Sequence, residues 1–217
     1  IIERMENQNV YIDLGKVEAV LTPNEQIPGE IYQYHERMKT YIVEVKRTNK
    51  GPQIMVSRTH PGLLKRLFEL EVPEIHDGVV EIKSVAREPG MRSKISVYTA
   101  DSNVDPVGAC VGHKGMRVQT IVNELRGEKI DIVKYSEDPA QYVANALSPA
   151  KVVKTNVNEA DKICRVVVPD YQLSLAIGKE GQNARLAAKL TGWKIDIKSE
   201  TQAAEEAAVE PAPVEEA

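Results

Sequence analysis

Apolar and polar positions change rhythm several times along the chain. Val10-Tyr11-Ile12-Asp13-Leu14 alternates before Gly15, Val17 to Leu21 is a short apolar run, and Thr40 to Lys46 sets Tyr41, Val43 and Val45 against other residues. A period of two predicts strands, and Asn49-Lys50-Gly51-Pro52 is a turn signal ahead of the short run Gln53 to Ser57. Several short strands with Gly and Pro punctuation predict a small OB-type β-barrel over residues 1–60. Ile1-Ile2-Glu3-Arg4 leads directly into the turn before Val10, so the opening strand reads as cut short and the barrel as incomplete.

From Pro61 the period lengthens. Leu63, Leu64, Leu67, Phe68 and Leu70 have helical spacing, with Pro61 suited to a first helical turn. Val79 to Glu88 and Ser93 to Thr99 read as strands around the Glu88-Pro89-Gly90 turn. Asp105-Pro106 opens a helix, and Val118, Ile121, Val122 and Leu125 stripe the next one. Gly127 is placed to cap that helix, and Lys129 to Val133 returns as a strand. The order over 61–136 is helix, strand, strand, helix, helix, strand.

Residues 137–199 repeat that order. Asp138-Pro139 starts a helix through Leu147, Val152 to Asn156 and Ile163 to Val168 are strands, Tyr171 to Ile177 and Asn183 to Leu190 are helices, and Trp193 to Ile197 is the last strand. Val111-Gly112-His113-Lys114-Gly115, a helical run, Gly127 and Lys129-Ile130-Asp131-Ile132 thus recur as Ile177-Gly178-Lys179-Glu180-Gly181, a run, Gly192 and Lys194-Ile195-Asp196-Ile197. One Gly-x-x-Gly is weak evidence; the matched surroundings carry the weight. The repeat of roughly 65 residues is too long for a solenoid unit and suits tandem domains.

Two glycines three apart between helices let backbone amides approach phosphates with no side chain in the way, while the next helix presents its positive end. That is the chemistry of a KH module, in which an apolar groove edge, here Val111 and Ile177, holds about four unpaired bases. His113, Lys114, Arg117, Lys179 and Arg185 are candidate phosphate neighbours, or alternatively ordinary solvated charges. Glu180 would repel phosphate and is expected to point away or cap a helix. Gln182 and Asn183 could cap or could bond to bases, and base contact is favoured. His113 reads as a phosphate or base neighbour, since no nucleophile is paired with it in sequence. On the barrel, Val10, Ile12 and Leu14 are expected inward, with Tyr11 outward as a stacking platform or packed against a neighbouring module; Tyr41 and Arg58 are weaker candidates on the same surface.

Composition and charge refine this picture. A chain of 217 residues with 42% hydrophobic content can bury two to four small cores. The net charge of −4 looks wrong for a nucleic-acid binder, but six glutamates and no Lys or Arg lie in 199–217, which leaves +2 on the remainder. The Ala, Glu and Pro segment 200–217 reads as a disordered acidic tail, a solubility element or linker, or an acidic mimic that competes with RNA. No apolar run is long enough for a membrane span. Cys110 and Cys164 lack ligand spacing and read as buried free thiols in a reducing cytoplasm, with no metal and no cofactor expected. Aromatic content of 5% argues against an RRM. With no Gly-x-x-x-x-Gly-Lys-Ser/Thr loop and no carboxylate cluster, an enzyme is not expected. The alternatives are a protein-interaction scaffold or the substrate-binding portion of an RNA-processing enzyme.

Helix-strand-strand-helix-helix-strand is the order of the bacterial type II KH fold. A barrel of the ribosomal-protein-S-one type followed by two such modules resembles the NusA family of bacterial transcription factors. The likeness rests on Ser57-Arg58-Thr59-His60-Pro61-Gly62-Leu63, Glu69-Leu70-Glu71-Val72-Pro73-Glu74-Ile75, Pro149-Ala150-Lys151-Val152, Val166-Val167-Val168-Pro169-Asp170 and Leu173 to Arg185. The resemblance implies a cytoplasmic, monomeric factor that binds nascent single-stranded RNA. It would associate with bacterial RNA polymerase and other antitermination factors, and modulate pausing, termination and antitermination. It also implies that the family's polymerase-binding domain lies outside this sequence. With no Gly/Ser linker at Glu137-Asp138-Pro139, the two KH modules are expected to present a near-continuous surface.

Overall fold

In a computed structural model that describes residues 1–209, the alternation at the start of the chain becomes a five-stranded sheet. Its strands are β1 (Ile2–Glu6), β2 (Asn9–Asp13), β3 (Glu18–Leu21), β4 (Tyr41–Thr48) and β5 (Gly51–Ser57), in the order β1-β2-β3-β5-β4. β3 runs parallel to β5 and the other pairs are antiparallel. The strand number suits an OB-type barrel. Ile2, Val10, Ile12, Ala19, Leu21, Ile54 and Val56 make its core. Leu14 lies past the end of β2 and is exposed, against its expected inward place. β1, where a strand cut short was expected, runs for five residues. Its residues hide the signal, because only Ile2 is buried. Asn7 and Gln8, both at positive φ, form the two-residue hairpin turn that joins it to β2.

Next come α1 (Pro61–Glu71), α2 (Pro73–His76), β6 (Glu81–Glu88), β7 (Arg92–Tyr98), α3 (Pro106–Val111), α4 (Met116–Glu124) and β8 (Lys129–Lys134), with the sheet order β6-β7-β8. Pro61 opens α1, and the His60 ring nitrogen accepts from the Gly62 amide at 2.9 Å. Leu63, Leu64, Leu67 and Phe68 face inward onto Ile95, Val97, Cys110, Ile121 and Leu125. The short α2 is an element that the hydrophobic period does not reveal.

The five-stranded sheet and the first module form one compact unit, Ile1–Ile132. Polar ties inside it are concentrated where α4 ends. The buried Arg58 side chain pairs with Glu30 and donates to the Lys39 carbonyl (2.9 Å), the Glu124 carbonyl (3.0 Å) and the Glu124 carboxylate (3.2 Å). Arg126 reaches Glu36 at 2.7 Å. Glu128, fully buried, is satisfied by Arg87, the Ser93 hydroxyl (2.9 Å) and the Gly90 amide (2.7 Å).

A second unit begins at Val133. It contains α5 (Pro139–Ala146), β9 (Lys154–Asn158), β10 (Ile163–Val168), α6 (Leu173–Ile177), α7 (Gln182–Thr191), β11 (Lys194–Ser199) and α8 (Glu200–Val209). β10 lies between β11, its parallel neighbour, and β9, its antiparallel one. Cys164, Val166 and Val168 alternate inward from β10, and Val143, Leu147, Ala176, Leu186 and Leu190 are buried in the same unit. β9 starts two residues later than Val152.

α8 corrects the expectation of disorder from residue 200; residues 210–217 lie outside the described residues. Ser199 and Gln202 form a reciprocal capping box, with the Ser199 hydroxyl accepting from the Gln202 amide (3.2 Å) and the Gln202 side chain accepting from the Ser199 amide (3.0 Å). Ala and Glu are strong helix formers, and Lys198 pairs with Glu206 eight residues on.

Candidate nucleic-acid interface

Each module brings two helices to a tight corner. α3 ends at Val111, and Gly112 (φ 76°, ψ 174°) cannot continue it; α4 begins after Gly115 (φ 74°, ψ 14°). α6 ends at Ile177, with Gly178 (φ 79°, ψ 172°) and Gly181 (φ 74°, ψ 13°) in the same places. Between the glycines, Lys114 (φ 52°, ψ 27°) and Glu180 (φ 53°, ψ 27°) both take left-handed backbone. In each loop the amide of the second glycine bonds to the carbonyl of the first at 3.1 Å. Two sequences that differ at both middle positions thus adopt one geometry.

The two glycines of each loop do different work. A Cβ on Gly178 would stand 2.8 Å from the Asn183 backbone nitrogen, and one on Gly112 would stand 2.6 Å from the Arg117 side chain. The first glycine therefore lets the following helix pack against the loop. A Cβ on Gly115 or Gly181 would meet nothing within 4 Å, so the second glycine leaves the outer side open. His113, Lys114, Lys179 and Glu180 are exposed on that side, ahead of the N-termini of the nine-residue α4 and ten-residue α7. Orphan amides and the aligned peptide dipoles make such a helix start attractive to phosphate. The first loop adds a full cation at Lys114. In the second, Lys179 and Glu180 offset each other, and Arg185 leans back to donate to the Glu180 carbonyl at 3.1 Å.

Three expected contacts have their polar groups engaged within the protein. Arg58 is 0% exposed and faces the unit's interior, so it does not join an RNA-facing barrel surface. Burial works against its charge, and Glu30 and Glu124 outweigh burial to keep the guanidinium pKa raised. Asn183 is buried, with its amide group donating to the Ala176 carbonyl (2.9 Å) and the Leu147 carbonyl (3.1 Å). Its side chain holds the end of α6 rather than reading a base. Arg117 stands at the same place in the first loop, five residues after the first glycine. It donates to the Ala109 carbonyl (2.7 Å) and to Glu74 (2.9 Å), which neutralises it. A shared offset from the glycine was the signal for this role, and the two side-chain types concealed it.

Val111 is half-buried and Ile177 more open, both at the groove edge. Gln182 is half-buried at the first position of α7. Tyr11 is half-buried on β2 under the Arg4 guanidinium, 3.7 Å from the ring centroid, so one of its faces is occupied. Burial pushes the Cys110 thiol up to about 12 and raises Cys164 as well, which makes both poor nucleophiles. No helix among the described residues is long and apolar enough to cross a membrane.

Comparison with known proteins places these features in a lineage. Residues 58–135 match the model of the NusA-like first KH domain, and residues 139–205 match that of the NusA-like second KH domain. The chain is 72% identical over 205 residues to the transcription termination/antitermination protein NusA of Halalkalibacterium halodurans, covering 94% of this chain and 54% of that one. The Bacillus subtilis protein of the same name is 70% identical over 205 residues, with 94% and 55% covered. That of Thermus thermophilus is 50% identical over 196 residues, with 90% and 51% covered. The chain spans about half the length of these relatives. With both modules matched in order and both loops built alike, the chain belongs to the NusA-like family of tandem KH domains.

Proposed function

We propose that this chain binds single-stranded RNA through its two Gly-x-x-Gly loops, as the RNA-reading portion of a bacterial factor that works with RNA polymerase in pausing, termination and antitermination. The observation that carries this reading is the shared loop geometry: an open outer side, exposed polar residues and a helix N-terminus behind, built twice from different middle residues. KH modules use this arrangement to clamp the backbone of about four nucleotides while the bases lie along the adjoining groove. Two such sites in one chain raise apparent affinity by orders of magnitude when both engage one strand. The role in transcription follows from the names of the relatives. The chain acts as a binder rather than a catalyst, in the cytoplasm and as a monomer.

The test is fluorescence anisotropy of a labelled single-stranded RNA, titrated at several salt concentrations with the chain and with its His113→Asp, Lys114→Asp, Lys179→Asp variant. Binding to single strands that weakens as salt rises and is lost in the variant supports the reading. Equal binding of the two proteins, or equal affinity for duplex RNA, would overturn it.

A further inference from the structure

The two modules share a loop but differ in what leads up to it. A single turn, Asp170–Gln172, precedes α6 in the second module, and Tyr171 within it is 83% exposed. Leu175, four residues on, is 44% exposed, while Ala176 beside it is fully buried. The turn before α6 therefore exposes an aromatic ring, α6 itself exposes Leu175, and Ile177 brings exposed apolar surface to Gly178. Counting back from the first glycine, the first module has Asp105 in place of Tyr171 and Ala109 in place of Leu175. Asp105 is occupied as the N-cap of α3, accepting from the Val107 amide at 3.2 Å.

We propose that Tyr171 is a base-stacking platform, so that the second module holds one more unpaired base than its loop alone would, on a surface the first module lacks. This rests on the RNA-binding reading. A solvent-facing ring costs the fold little to keep and offers a flat apolar face, and single-stranded RNA recognition depends on such faces. Continuity with the loop selects a nucleobase as the occupant: Tyr171 and Gly178 are seven positions apart, about 10 Å at helical rise. A strand clamped at Lys179 can lay its next base there. The acidic neighbour does not oppose this, because the Asp170 carboxylate is turned to α8, where it accepts from the Thr201 amide at 3.1 Å and from the Thr201 hydroxyl. Stacking also compensates for Glu180, which leaves the second loop weaker in charge than the first.

Anisotropy titrations with the labelled single-stranded RNA would compare the chain with Tyr171→Ala, Tyr171→Phe and Lys179→Asp, each checked for an unchanged thermal midpoint. The platform predicts that Tyr171→Ala weakens binding about 5- to 100-fold. Tyr171→Phe, which keeps the ring, should stay within about twofold. The salt slope should be unchanged in Tyr171→Ala, since no phosphate contact is removed, and shallower in a loop variant that loses one. Wild-type affinity in Tyr171→Ala alongside loss in Lys179→Asp would overturn the platform and leave the loop reading standing. Equal loss in Tyr171→Phe and Tyr171→Ala would also overturn it, by assigning the effect to the hydroxyl. Absence of RNA binding by the unaltered chain would remove both.

Discussion

Gly178 and Gly181 occupy the same loop, share a positive φ and differ in what surrounds them. At Gly178 the backbone lies in a region that is essentially glycine's alone, and a Cβ would press on the Asn183 backbone, which is itself fixed by the start of α7. Gly181 needs only left-handed backbone, with open space around it. Gly178→Ala should therefore destabilise the second module by roughly 3 kcal/mol or more, and Gly181→Ala by about 1 kcal/mol. The sole tryptophan, Trp193, sits in that module, so urea unfolding followed by its fluorescence measures both. Equal losses would show that strain alone sets the cost. The sequence marks both glycines as special. It does not distinguish them, because the distinction depends on an atom five residues downstream.

The last helix depends on a contact that lies far away in sequence. Asp170 accepts from the Thr201 amide and hydroxyl, which lowers the carboxyl pKa from its ordinary 3.8. A depressed carboxylate contributes fully above its unfolded value and loses that contribution as pH falls through the folded one. The Thr201 amide should thus keep its hydrogen-exchange protection from neutral pH down to 3.8 and lose it at lower pH. Asp170→Asn should lack that protection throughout. If protection is the same in both proteins, the capping box alone holds α8. Sequence contained half of this: Ser199-Glu200-Thr201-Gln202 is a legible capping box. Composition over 200–217 hides it, since Ala and Glu are as common in helices as in disordered tails. Amphipathic helices such as α1 and α7 were legible because their buried positions recur at helical spacing. β1 was legible as an opening strand but not in its length, because only one of its five residues is buried.

In the unit Ile1–Ile132, the five-stranded sheet and the first module are joined through charges rather than through apolar surface alone. Arg58 leaves the barrel at the end of β5 and is surrounded by Glu30, the Lys39 carbonyl and Glu124 at the end of α4. Removing Arg58 takes away the two-pronged partner of buried Glu30 and leaves Arg126, at 3.3 Å, as its remaining cation. Arg58→Ala should cost about 3 kcal/mol, the lower end for breaking a buried pair. In calorimetry it should separate one transition of this unit into two, the barrel melting first. A single transition at an unchanged midpoint would show that the apolar contacts suffice. The repeat of Gly-x-x-Gly, helix and Lys-Ile-Asp-Ile, the strand and helix order of both modules apart from α2 and α8, and the candidate loops all follow from local spacing, and local spacing is what a chain displays without folding. Whether Arg58, Arg117 and Asn183 bind RNA or hold the loop and barrel in place was decided only by tertiary structure. A polar side chain takes its role from the groups that surround it, and those groups come from residues as much as 66 positions away in the chain.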